Sequence, residues 1–86
     1  MIKPEAKRIL GIIADLSQND IKKDVLETEI ISHSDGLQAE EVRNYLGELE
    51  WHNLVKESAL PRPSHKEFRL WTITEKGLLQ EEKESQ

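Results

Sequence analysis

Ala6, Ile9, Leu10, Ile13 and Leu16 recur at the spacing of one helix face, with polar residues filling most positions between them. This pattern predicts an amphipathic helix over residues 4–17. Pro4 suits its first turn, where a missing N–H costs nothing, and Glu5 stands at the positive end of the helix dipole. Ser17-Gln18-Asn19-Asp20 ends the helix. Lys22 and Lys23 follow in a loop, read either as solvated or as a phosphate contact.

Asp24 and Glu27 have the spacing of a capping box. Val25-Leu26 can equally be a short extended piece ahead of a helix starting near Thr28, and that reading is preferred here. Under either, Ile30 and Ile31 face inward, and Asp35-Gly36 supplies a tight turn that Leu37 anchors. From Ala39 to His52 the apolar set is Val42, Tyr45, Leu46 and Leu49, which predicts a third helix soon after the second. Asn53 stands where that helix stops, since asparagine tolerates the left-handed conformation better than any residue but glycine.

Leu54 and Val55 begin an extended segment, and Phe68, Leu70, Trp71 and Ile73 form a β-prone run. Between them, Pro61-Arg62-Pro63-Ser64-His65-Lys66 cannot pair inside a sheet and reads as a loop. The expectation is a hairpin of roughly residues 54–60 against 67–73. Thr74 is placed to cap a last helix through Leu78 and Leu79, and Gln80 to Gln86 is expected to fray. The chain reads as one domain over residues 1–80 with a polar tail over 81–86.

Length changes this picture little, since 86 residues suit a single core. Charge changes it more. The net charge of −5 is the wrong sign for a surface that attracts phosphate everywhere. Residues 1–37 carry 5 basic and 7 acidic groups, 38–57 carry 2 and 5, 58–77 carry 4 and 2, and 78–86 carry 1 and 3. Only the third block is net positive. With no cysteine, neither a disulfide nor a thiolate metal site can brace the fold. No hydrophobic run has signal-peptide or membrane-spanning length, so the expectation is a soluble, cytoplasmic protein without membrane contact.

The order helix, extended piece, helix, turn, helix, hairpin, closing helix resembles a winged helix-turn-helix domain. Two stretches carry the resemblance. Residues from Glu40 to Lys56, including Val42-Arg43-Asn44-Tyr45-Leu46, are similar to the family's recognition helix and its run into the second strand. Trp71-Thr72-Ile73-Thr74-Glu75-Lys76-Gly77-Leu78-Leu79 is similar to its closing strand and last helix, where a threonine and a glycine three residues apart are typical. The chain departs from the family at Asn53, where many members have glycine, and at Gln38, where many have a phosphate-contacting serine or threonine. The implied fold is α+β, a three-helix core with a C-terminal β-hairpin wing and a short closing helix.

In a DNA-binding member the third helix enters the major groove. The face opposite its buried stripe carries Glu40, Asn44, Gly47 and Trp51, with Arg43 and Glu48 at the edges. Arg43 can pair with guanine and Asn44 with adenine, whereas Glu40, Glu41 and Glu48 oppose nearby phosphates. Arg62, His65, Lys66 and Arg69 lie on or beside the wing, which prolines stiffen; they read either as phosphate contacts or as a solvated turn. Trp71 is expected in the core. Trp51 either folds back on the hairpin or stands partly exposed as a contact surface.

Little points to chemistry on substrates. His33, His52 and His65 fall in different elements, so no metal site is expected. His33-Ser34-Asp35 has the letters of a triad, but adjacent residues cannot align as base, nucleophile and orienter. No glycine-rich phosphate loop occurs, and no cofactor is expected. Two functions remain. The leading expectation is a transcriptional regulator bound to double-stranded DNA through Gln38, Arg43, Asn44 and the basic wing. The alternative is a protein-interaction module, binding a partner or a second copy through Glu40, Gly47, Glu48 and Trp51.

Overall fold

The computed structural model describes residues 2–58 and 69–84. Along these residues the elements are α1 (Pro4–Ser17), β1 (Val25–Leu26), α2 (Glu27–Ser32), α3 (Ala39–Trp51), β2 (Val55–Glu57), β3 (Leu70–Ile73) and α4 (Glu75–Glu84). The fold is α+β. Its antiparallel sheet has the order β1-β3-β2, with Val25 opposite Trp71 and Val55 opposite Ile73. The strand that comes last in the chain is therefore central.

One cluster holds the elements together. Ala6, Ile9, Leu10 and Ile13 of α1 meet Ile30 of α2, Val42, Leu46 and Leu49 of α3, and Val25, Val55, Trp71 and Ile73 of the sheet. These are the positions that helical or alternating spacing marks as inward, so burial of the periodic faces drives assembly. Tyr45, Leu16 and Ile31 are only half-buried and sit at the cluster's edge.

Local chemistry sets the boundaries. Asn53, at φ 61°, places its N–H on the Glu50 carbonyl at 2.9 Å, while the Leu54 N–H reaches Leu49 at 2.9 Å. This pair of bonds closes α3 as a Schellman motif with asparagine in the place usual for glycine. Chain direction reverses there, and Leu54 drops into the core at once. At the other end of α3, the Glu41 carboxylate accepts the Gln38 N–H at 3.1 Å, the return half of a capping box.

Between Asp24 and Glu27 the extended reading holds, and α2 begins at Glu27, one residue earlier than expected. Asp24 caps no helix because its carboxylate bonds elsewhere. It accepts the Thr72 hydroxyl at 2.7 Å and the Ser58 hydroxyl at 3.4 Å, laying the residue across β3. Of the expected hairpin, the described part is β2 against β3, extended by the Ser58 N–H to the Leu70 carbonyl at 2.8 Å.

Thr74 caps α4 as predicted, its Oγ1 accepting the Gly77 N–H at 3.0 Å. The same hydroxyl lies 2.7 Å from the Asn53 carbonyl and so ties α4 to the end of α3. The helix is formed through Glu84, beyond the Leu79 at which the sequence reading ended it. Leu78 packs on the core, and Glu81 lies over Gly11 of α1, a contact that the polar pattern of residues 80–86 does not announce. No helix among the described residues is long and apolar enough to cross a membrane.

Candidate binding face on the third helix

Because Val42, Leu46 and Leu49 turn inward, the opposite side of α3 is left to solvent. At about 100° per residue, Glu40, Asn44, Gly47 and Trp51 form one stripe along it. All four are exposed, and the structure brings them together as the spacing predicts. Gln38 is exposed just ahead of the stripe and Glu48 is half-buried at its edge.

Trp51 dominates the stripe. It is 82% exposed, whereas Trp71 is 1% exposed in the core. It therefore does not fold back on the strands, because the Schellman turn carries the chain away on the opposite side of the helix. Gly47, one turn earlier, has open space where a Cβ would be, with nothing within 4 Å among the described residues. Bare helix backbone thus lies one turn from the indole. Gly77 is the contrast, since a Cβ there would land on the Leu54 carbonyl.

The two flanks of the stripe differ. Toward α1, the Tyr45 hydroxyl donates to Glu5 at 3.2 Å, with Glu41 and Glu48 near the ring. Burial of the ring and the carboxylates beside it push the phenol above its ordinary value. Toward the sheet stands Arg43, whose Nε donates to Glu27 at 3.1 Å. Glu27 is only 1% exposed, yet its carboxylate is well supplied. Oε1 accepts the Trp71 indole N–H at 3.1 Å and lies 3.6 Å from Arg69 Nη1.

Arg69 is the hub of a second pairing. It donates to Glu57 through Nε at 2.8 Å and through Nη2 at 3.0 Å, a bidentate fork, and its guanidinium lies 5.1 Å from the Trp71 ring centre. The hydrogen bonds from Arg69 hold the Glu57 carboxyl below its usual range, and the same bonds raise Arg69. Of the three arginines named by the sequence, the two described, Arg43 and Arg69, are thus turned onto carboxylates of their own chain. Arg43 keeps half its side chain exposed and Arg69 about a third. Arg62, His65 and Lys66 lie outside the described residues.

Sequence reasoning missed Glu27 and Glu57 as the partners of these arginines. Glu27 is 16 residues from Arg43 and 44 from Trp71, so no local spacing announces the contacts. Only the placement of Arg69 and Trp71 two residues apart, on one side of a strand, hinted that a cation would lie over the ring. Among the described residues, no three metal-ligating side chains gather. His33 Nδ1 sits 2.9 Å from the Glu29 carbonyl within its own helix. Compared with models of known protein families, with curated proteins and with solved structures, the chain matches none.

Proposed function

We propose that the chain is a winged helix module that works by binding, and that the exposed face of α3 docks a protein partner. The element order and the β1-β3-β2 sheet support the winged helix reading. Trp51 carries the functional one. A tryptophan 82% exposed on a regular helix leaves a large apolar surface in water, and such residues are enriched where partners bind. The charge of α3 points the same way. Residues 39–51 hold four glutamates and one arginine, and that arginine bonds to Glu27. A phosphate row brought against this face meets repulsion.

A DNA-binding regulator is the second reading. Its support is Asn44 and Gln38, exposed on an open helix, together with the cations Arg62, His65 and Lys66 in the segment joining the strands. Titration with random duplex DNA across a salt series separates the two, because phosphate contacts impose a steep log–log slope. Protein docking predicts weak binding at physiological salt that is unchanged by Trp51→Ala. Tight binding with a steep slope, lost on replacing Arg62 and Lys66 together by alanine, would establish the DNA reading instead.

A further inference from the structure

Resting on the protein-docking reading of α3, we propose that the partner is a cationic amphipathic segment whose backbone lies in the notch at Gly47, with an arginine or lysine against the Trp51 indole. Three observations converge on it.

Gly47 is the first. Glycine inside a helix is disfavoured relative to alanine. Here alanine would meet nothing within 4 Å among the described residues, and the residue has no positive φ to accommodate. No contact with the described residues requires glycine at this position, whereas Gly77 is required by the Leu54 carbonyl. What glycine provides at Gly47 is room for an outside backbone to approach α3 closely.

Trp51 is the second. Its ring lies one turn from that notch and is open to a partner, so an apolar or cationic side chain seated there covers it. Charge is the third. Glu40 lies on the stripe with Gly47 and Trp51, and Glu48 borders it; neither makes an ion pair with the described residues. Glu50, on the far flank, adds its field to that around Arg69. Among the described residues, the surface around the notch therefore presents two carboxylates without an ion-pair partner beside an indole, which favours a basic segment over an acidic or neutral one. A second copy presenting this same face would set carboxylate against carboxylate, so symmetric self-docking is opposed by the same charges.

The test uses the whole chain, labelled with nitrogen-15, and three helical peptides lacking aromatic residues. One is built of leucine and arginine, one has glutamine for every arginine, and one has glutamate. The two indole N–H signals are assigned with the Trp51→Phe variant. The leucine–arginine peptide is expected to shift the Trp51 indole and the Gly47 amide while leaving the Trp71 indole in place. Gly47→Leu, whose Cβ meets no described residue, should keep the Trp71 indole signal in place and weaken that binding at least tenfold. Replacing Glu40 and Glu48 by glutamine should weaken it several-fold and flatten its salt dependence.

Tighter binding of the glutamine or glutamate peptide at the same signals would overturn the cationic partner while leaving protein docking on α3 in place. The cationic partner is likewise overturned if Trp51 and Gly47 shift with protein concentration alone, since a second copy would then be the occupant. Arginine-peptide binding indifferent to Gly47→Leu would overturn the notch, as would its failure to shift Trp51 at all. Duplex DNA moving the Trp51 and Gly47 signals while no peptide does would overturn both the cationic partner and the docking reading beneath it.

Discussion

Glu27 shows what a single side chain can decide in this protein. A buried carboxylate is costly unless its oxygens are supplied with donors, and here Trp71, Arg43 and Arg69 supply them. Glu27→Ala leaves an indole N–H and two guanidiniums without that partner and should cost about 3 kcal/mol in urea unfolding. Glu27→Gln keeps an acceptor for the indole and should cost less. An alanine variant as stable as the parent would mean that the three donors find water instead. Tyr45 gives a second test at this scale, since it is the chain's one tyrosine. Its phenol is raised above the ordinary 10.0 by burial of the ring and by Glu5. A group whose folded pKa is raised contributes stability that is complete below its unfolded pKa and lost as pH rises through the folded one. Phenolate absorbance should therefore titrate above 10.0 in the folded chain and move downward in Glu5→Gln. An unmoved midpoint in that variant would remove Glu5 as a cause.

Among the elements, α3 has the most divided role. Its inner face anchors the core through Val42, Leu46 and Leu49, and its outer face meets no described residue at the Cβ position of Gly47 and is open at Trp51. The open glycine on this face and the enclosed one on α4 should respond oppositely to one added methyl group. Gly47→Ala should stabilise the protein by about 0.5 to 1 kcal/mol, the helix-propensity difference with no clash to offset it. Gly77→Ala should instead destabilise by roughly 1 to 3 kcal/mol, because the methyl must displace the Leu54 carbonyl that also accepts from Thr74. Thermal unfolding of the pair checks both signs at once. A destabilised Gly47→Ala would show that the glycine serves the fold, and the reason for reading a notch there would disappear.

Across the whole molecule, charge is arranged by contact and not by count. The net value of −5 and the positive block at residues 58–77 describe the chain as a string. Among the described residues, folding pairs part of that charge internally, because Arg43 from α3 and Arg69 from just ahead of β3 converge on Glu27, and Glu57 takes the remaining arm of Arg69. What is left on the outer side of α3 is acidic around an exposed indole. On the proposed docking reading, a surface of that kind steers positive partners toward itself and phosphates away.

Periodicity alone determined the helical face of α1 and the inward placement of Val42, Leu46 and Leu49 on α3, because both follow from which side of a helix must leave water. Spacing left Trp51 open between folding back on the hairpin and standing exposed, and packing decided for exposure. Local chemistry likewise announced Asn53 as the stop and Thr74 as the cap, since both act within a few residues of themselves. Beyond that range the sequence was silent. The crossing of Asp24 onto β3, the burial of Glu27 beneath Trp71 and the continuation of α4 past Gln80 depend on partners 34 to 48 residues away or on a neighbouring helix. Such partners become neighbours only when the sheet closes in the order β1-β3-β2. Whether an arginine faces a guanine or a glutamate of its own chain is therefore settled by packing, because a long, flexible cation turns to the nearest carboxylate that burial has deprived of water.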